Sequence, residues 1–111
     1  MREREVWLAR LDKTRPAVVL TRPWISSGWP SVTLAPITST RLGLVSEVVV
    51  GPEVGVDRES TVQCDAVTTV PRDRLLRRLG VLGTSHERLL RRALLDAWDL
   101  EPEDDRAGTW E

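Results

Sequence analysis

The chain of 111 residues has few of the side chains that build metal centres and covalent catalytic sites. Its one cysteine, Cys64, and one histidine, His86, cannot form a zinc site, and a single cysteine excludes an intrachain disulfide. A ribonuclease that works through a pair of histidines is excluded as well. The sequence has no CxxC, HExxH or Gly-rich phosphate-binding motif. We therefore expect no metal and no other cofactor, and any chemistry must come from arginine, hydroxyl or backbone groups.

Long apolar runs are also missing. No stretch approaches the ~20 residues that a membrane span requires, and no apolar segment of signal-peptide length follows the charged start of the chain. We expect a soluble, cytoplasmic protein with no membrane partner. The single cysteine agrees with this expectation, because it suits a reducing compartment.

Charge is unevenly divided along the chain, although the formal net charge is only −1. Residues 101–111 contain five acids and one arginine, whereas the rest of the chain has a small excess of basic residues. Nearly all of these are arginine, which suits phosphate contacts because its planar guanidinium can bind two oxygens. The excess is too small to indicate nucleic-acid binding by itself. We predict one folded domain over residues 1–100 and a flexible acidic tail over residues 101–111.

Apolar patterning predicts a chain that is mainly β. Five strands are expected, at residues 6–11, 17–21, 31–37, 45–50 and 60–70. Because the strands follow one another without intervening helices, they favour an antiparallel sheet that curls toward a barrel.

Helical signals are concentrated near the end of the chain. Pro71 suits a first helical turn and predicts a short helix over residues 72–78, with a sixth strand at residues 79–82. Thr84 and Glu87 have the spacing of a capping box for a final helix. The apolar stripe of that helix predicts packing against the sheet, and its members are Leu89, Leu90, Ala93, Leu94, Ala97 and Trp98.

Four segments share the sequence patterns of one known family. Residues 5–11 read E-V-W-L-A-R-L, and residues 15–20 read R-P-A-V-V-L. Residues 35–39 read A-P-I-T-S, and residues 60–70 read S-T-V-Q-C-D-A-V-T-T-V. Each segment is common on its own, but the four occur in order and with compatible spacing. Together they resemble the MazF/PemK family of toxin endoribonucleases.

The resemblance implies a small antiparallel β-barrel of the SH3-like, CcdB–MazF type, with a C-terminal helix, that pairs into a homodimer. It also implies metal-independent, sequence-specific cleavage of single-stranded RNA to a 2′,3′-cyclic phosphate and a 5′-hydroxyl, which inhibits translation and growth. The implied substrate is messenger RNA, with transfer RNA and ribosomal RNA as further candidates. A cognate MazE-like antitoxin would lie along the RNA groove and inhibit the enzyme.

The resemblance further implies which residues carry the reaction. Arg15 and Thr38 stand at its catalytic positions, where the guanidinium would stabilise charge on the phosphate and the hydroxyl would hydrogen-bond to it. Four further residues would bind RNA: Ser39, Arg41, Ser60 and Asp65. Simpler local roles remain open, because Arg15 would also pair with Asp12 and Thr38 would also cap a turn.

Departures from the family pattern leave the RNA target open. The first loop is short, Arg4 replaces a usual glycine, and Ala66 stands where many relatives have glutamine. Two other functions remain as alternatives. One is a CcdB-like gyrase-inhibiting toxin, whose usual Trp-Gly-Ile ending this chain lacks. The other is a barrel that binds RNA or a partner without cutting it.

Overall fold

The computed structural model of the protein describes residues 4–22 and 28–100. Within them the chain forms seven strands and one α-helix: β1 (Glu5–Arg10), β2 (Thr14–Val19), β3 (Ser31–Thr38), β4 (Glu47–Val50), β5 (Ser60–Gln63), β6 (Thr68–Pro71), β7 (Leu75–Val81) and α1 (Thr84–Ala97). Single 3-10 turns connect some of them, at Pro52–Val54, Cys64–Ala66 and Arg72–Arg74. The predicted acidic tail lies outside the described residues, so its separation from the domain stays a prediction.

All strand pairs are antiparallel, and β3 is the centre of the sheet. The strands run in the order β4-β5-β3-β2-β1-β7, and β6 pairs with β3 as well. One edge of β3 is occupied by β2. The other edge pairs first with β6, where Val32 faces Val70, and then with β5, where Thr38 faces Thr61. β2 therefore holds the middle of β3, whereas β6 and β5 hold its two ends.

The single strand predicted at residues 60–70 is wrong, because the segment forms two strands separated by the turn Cys64–Ala66. Cys64 is fully buried in the main core, and its backbone N–H donates to the Ser46 carbonyl instead of to β3. On this edge of β3, pairing with β6 ends at Leu34 and pairing with β5 begins at Ile37. Ala35 and Pro36 therefore have no strand partner on this edge.

Close contact between two glycines brings the turn after β4 against β7, although these two strands stand at opposite ends of the strand order. Gly55 has a φ of 100°, in the left-handed region that favours glycine. A Cβ on Gly55 would collide with the Leu79 carbonyl, and a Cβ on Gly80 would collide with the Val54 carbonyl. The missing side chains let the two backbones meet, which curls the sheet into the predicted small barrel.

The helix α1 covers the main core, as the sequence predicts, but with a narrower apolar face. Leu90 and Ala93 are buried against the sheet, and Leu94 and Ala97 pack partly against the same core. Leu89 is 56% exposed and Trp98 is 61% exposed, so their predicted packing is wrong. Trp98 follows the last helical residue as the C-cap of α1.

Two further local predictions are also wrong. The helix expected over residues 72–78 is a single 3-10 turn followed by β7, because this segment completes the barrel by pairing with β1. The capping box does not form, since Gly83 is the N-cap and no side chain caps it. The Glu87 carboxylate instead accepts from the guanidinium of Arg4, 3.1 Å away, which ties α1 to the start of β1.

The overall prediction of a mainly β, antiparallel barrel with a C-terminal helix is confirmed. No helix among the described residues is long and apolar enough to cross a membrane.

Candidate active site

The pairing of β2 with β3 brings Arg15 and Thr38 together. The antiparallel ladder ends where Ala17 faces Pro36, and Arg15 and Thr38 lie two residues beyond that pair on the two neighbouring strands. Arg15 lies within β2, not in the predicted loop, because its pairing with Ala9 of β1 extends the strand. Both residues line one groove of about 570 Å³.

The Arg15 side chain is largely enclosed, with 19% of its surface exposed. One terminal nitrogen, Nη2, donates to Asp12 Oδ2 at 3.0 Å, so the local pairing considered above does form. Its Nε is buried and has no hydrogen-bond partner among the described residues. An unpaired buried donor is costly, and because this atom has almost no accessible surface, a ligand reaches it only if the side chain shifts.

Thr38 ends β3 with its hydroxyl held in one direction. Its Oγ1 accepts from the backbone N–H of Thr40 at 3.2 Å, which leaves the hydroxyl hydrogen free to donate. Underneath, the buried hydroxyl of Thr61 donates toward the carbonyls of Thr40, at 3.2 Å, and Thr38, at 3.4 Å. The backbone that carries Thr38 is therefore fixed from the neighbouring strand.

Charged, neutral and apolar side chains together line the groove. Its charge comes from Asp12, Arg15 and Arg74. Three neutral residues, which we call the groove floor, come from the stretch where β5 gives way to β6: Gln63, Ala66 and Thr68. Leu42, which is 65% exposed, adds apolar surface. Such a mixture of apolar surface and a few placed polar groups suits bases and phosphates of a single strand.

A second, smaller hollow of about 190 Å³ adjoins the same Arg15–Thr38 pair. Two of the predicted RNA-binding residues, Ser39 and Ser60, line this hollow and not the larger groove. Ser60 is buried and its hydroxyl donates to the Arg58 carbonyl at 3.0 Å. Lys13 and Arg58 make the hollow basic, which suits a phosphate next to the one at Arg15.

The other two predicted RNA-binding residues line neither hollow. Arg41 is exposed and its Nη1 donates to Glu59 Oε2 at 3.3 Å. Asp65 is exposed and accepts from the Ser46 hydroxyl. Their roles stay predictions, and the geometry gives them no direct support.

Gln63 and Arg74 are groove residues that the sequence did not indicate. Gln63 lies at a variable position of the matched motif, and Arg74 lies in the segment predicted as a helix. Neither residue type nor spacing marks them, because both reach the groove only through the interrupted β5–β6 ladder and the turn before β7.

Two groups near the groove have shifted pKa values. The pKa of Glu47 is lowered, first by the hydrogen bond from the Gln63 side chain and then by the backbone N–H of Leu42. Burial raises the pKa of the Cys64 thiol to about 11, with a smaller contribution from Asp65. Cys64 therefore stays protonated near neutral pH and is a core residue, not a nucleophile. The described residues contain no group of three His, Cys, Asp or Glu side chains that could hold a metal ion.

Comparison with known proteins identifies the class to which this barrel belongs. A family model described as "PemK-like, MazF-like toxin of type II toxin-antitoxin system" matches residues 2–97. The chain is thus a member of the PemK-like and MazF-like toxin family of type II toxin–antitoxin systems. The family resemblance of the four sequence segments is confirmed.

Individual relatives agree with this assignment. The chain is 41% identical over 98 residues to Endoribonuclease MazF3 of Mycobacterium tuberculosis, covering 88% of this chain and 95% of that protein. The solved Mycobacterium tuberculosis toxin MazF-mt6 has a TM-score of 0.85 and 40% identity, covering 87% of this chain and 98% of its own. A mycobacterial endoribonuclease in complex with its cognate antitoxin shares the fold, with a TM-score of 0.78, 21% identity and coverage of 93% and 98%.

Proposed function

We propose that the protein is the toxin of a type II toxin–antitoxin pair and cuts single-stranded RNA at specific sequences in its groove. One observation supports this most directly: Arg15 and Thr38 line a single groove, where the Arg15 side chain is partly exposed and the Thr38 hydroxyl hydrogen is free to donate to a phosphate. The family relatives that are named endoribonucleases support the same reaction.

The proposed chemistry uses the 2′-hydroxyl of the RNA as the nucleophile. Its oxygen bonds to the adjacent phosphorus, and the bond from phosphorus to the 5′-oxygen breaks, which leaves a 2′,3′-cyclic phosphate and a 5′-hydroxyl. Arg15 binds the phosphate oxygens as negative charge accumulates, and the Thr38 hydroxyl donates to the same group. Preorganised donors of this kind stabilise the transition state without a metal.

Asp12 is placed to take the proton of the 2′-hydroxyl. It is the one acid that lines the groove among the described residues, and it already contacts Arg15. When a phosphate binds Arg15, it displaces the Asp12 carboxylate, which is then free to accept a proton. The 5′-oxygen takes its proton from solvent, because the groove is open to water.

The test is cleavage of a long single-stranded RNA by antitoxin-free protein in excess chelator. Arg15→Ala and Thr38→Ala each remove one donor and should slow cleavage by about 100-fold. Arg92→Ala is the matched control, since Arg92 also pairs with an acid but on α1, outside the groove and the adjoining hollow. Intact RNA with the wild type, or cleavage that needs a divalent ion, would contradict the proposal, and gyrase inhibition would then be measured.

A homodimer, a cognate antitoxin and a cytoplasmic location complete the proposal. Three apolar side chains within residues 44–49 are exposed and do not line the groove: Leu44 at 46%, Val45 at 80% and Val49 at 41%. A patch of this kind is typical of a surface that a second chain covers. Light scattering should give twice the mass of one chain, and Val45→Glu should shift the protein to a monomer. An RNA substrate places the activity in the cytoplasm.

A further inference from the structure

Gln63 is the polar side chain at the floor of the groove, and the sheet register fixes where it stands. It ends β5 and lies directly opposite Glu47 of β4. The 3-10 turn that follows carries the small residue Ala66, which lines the same groove.

Two acceptors determine how the amide of Gln63 is turned. Its Nε2 donates to Glu47 Oε2 and to Thr61 Oγ1, each at 2.7 Å. Glu47 also accepts from the backbone N–H groups of residues 42–44, so it has no hydrogen of its own to give. The Thr61 hydroxyl uses its hydrogen toward the carbonyls of residues 38 and 40. Glu47 and Thr61 can therefore only accept hydrogen bonds from the Gln63 amide, which fixes the amide nitrogen toward both of them.

The remaining polar atom, Gln63 Oε1, faces no donor within residues 4–22 and 28–100, and it is not buried. Because both amide hydrogens are used, Gln63 offers the groove an acceptor and nothing else. An amide in water can turn over and present either atom, whereas this one is held by two hydrogen bonds. A side chain that presents only a hydrogen-bond acceptor can distinguish bases by the donors on their edges.

We propose that Gln63 determines part of the RNA sequence preference, by accepting a hydrogen bond from the exocyclic amino group of a base seated between the groove floor and Leu42. Cytosine N4, adenine N6 and guanine N2 are such amino groups, whereas uracil has none and presents carbonyl oxygens on either side of its one N–H. The nucleotide at Gln63 is therefore a base other than uracil. This proposal rests on the RNA-cutting function proposed above, since it specifies which RNA the same groove selects.

The first arm of the test needs only the wild-type protein. Cleavage sites are mapped on a long RNA of mixed sequence, and one position near the cut should exclude uracil. A target that accepts uracil at every position overturns the proposal. If the wild type leaves all RNA intact, the RNA-cutting function itself fails, which is a different outcome.

The second arm compares Gln63→Met with the wild type on two short RNAs that differ by cytosine or uracil at that position. Met has the length of Gln but no acceptor. The wild type should cut the cytosine RNA about tenfold faster, whereas Gln63→Met should cut both at similar rates. A purely structural role would slow both RNAs equally and keep the tenfold ratio, which overturns the proposal. Circular dichroism confirms that the variant is folded.

Discussion

Thr61 and Thr38 face each other across β5 and β3, and the buried Thr61 hydroxyl binds the carbonyls on either side of Ser39. A buried residue thus holds the end of the strand that carries Thr38, one of the two proposed catalytic residues. Gln63 donates to the same hydroxyl, so the proposed catalytic and sequence-reading residues share one hydrogen-bonded support.

Thr61→Val tests that support. Valine keeps the volume but leaves the carbonyls of residues 38 and 40 without this donor, so the free energy of unfolding should fall by about 1–2 kcal/mol. Cleavage should slow as well, because the Thr38 hydroxyl loses its fixed position. Urea denaturation and RNA cleavage measure the two effects. The control is Thr69→Val, which removes an exposed hydroxyl bonded to Thr33 and should change stability by less than about 0.5 kcal/mol. Equal effects of the two variants would contradict a supporting role for the Thr61 hydroxyl beneath Thr38.

Asp12→Asn separates the contribution of the Arg15–Asp12 ion pair to stability from the proposed role of Asp12 as the base. Asp12 is 74% exposed, so loss of the ion pair should change the free energy of unfolding by no more than about 0.5 kcal/mol. Asparagine competes less with phosphate for Arg15, so KM for RNA should fall. It is also a poor base, so kcat should fall by about 100-fold. Steady-state kinetics give both constants.

Asp96→Asn is the matched control for that change, because Asp96 pairs with Arg92 on α1, outside the groove. It should leave both constants unchanged. An Asp12→Asn enzyme with wild-type kcat would remove Asp12 from the proposed mechanism and leave the proton to water.

The lowered pKa of Glu47 predicts an acid-sensitive loop. Its pKa lies below the usual value of 4.5 in the folded state, so its carboxylate stabilises the fold above that pH, and this stabilisation is lost as pH falls through the lowered pKa. Glu47→Gln removes the titrating group. The Tm of the variant should therefore fall less steeply than that of the wild type between about pH 5 and about pH 3. Glu59→Gln, which alters an exposed carboxylate elsewhere, should keep the wild-type slope.

Gly55→Ala should be strongly destabilising. The residue has a φ of 100°, and the added Cβ would meet the Leu79 carbonyl, so both backbone strain and a collision oppose folding. We expect a loss of about 2–4 kcal/mol in the free energy of unfolding. Gly28→Ala is the control, since no atom lies within 4 Å of a Cβ there. A stable Gly55→Ala protein would show that the turn after β4 does not close the barrel.

Much of this fold can be predicted from local sequence signals, because in most elements those signals agree with the structure that forms. The apolar run in β2 and the alternation in β3 predicted strands that the structure confirms. Arg15 and Thr38 were indicated by motifs, and their meeting depends on the simplest ladder in the sheet, between consecutive strands β2 and β3.

The missed features depend on distant contacts. Residues 60–70 contain neither glycine nor proline, so nothing local marks the interruption, which follows from burial of Cys64 in the core beneath α1. Pro71 and the leucine- and arginine-rich segment after it favour a helix, yet β1 offers an unpaired edge and draws residues 75–81 into the sheet. Gln63 and Arg74 could not be placed from the sequence because each lies beside one of these features.

The interrupted β5–β6 ladder has an evolutionary consequence. It places the residues at the floor of the groove on one short stretch of chain, 63–68, whereas the reacting pair belongs to β2 and β3 on the other side. On the mechanism proposed above, substitutions in that stretch would change the RNA target while the cleavage chemistry is retained. Related toxins of this family would then be free to diverge in the RNA they cut without first losing the ability to cut.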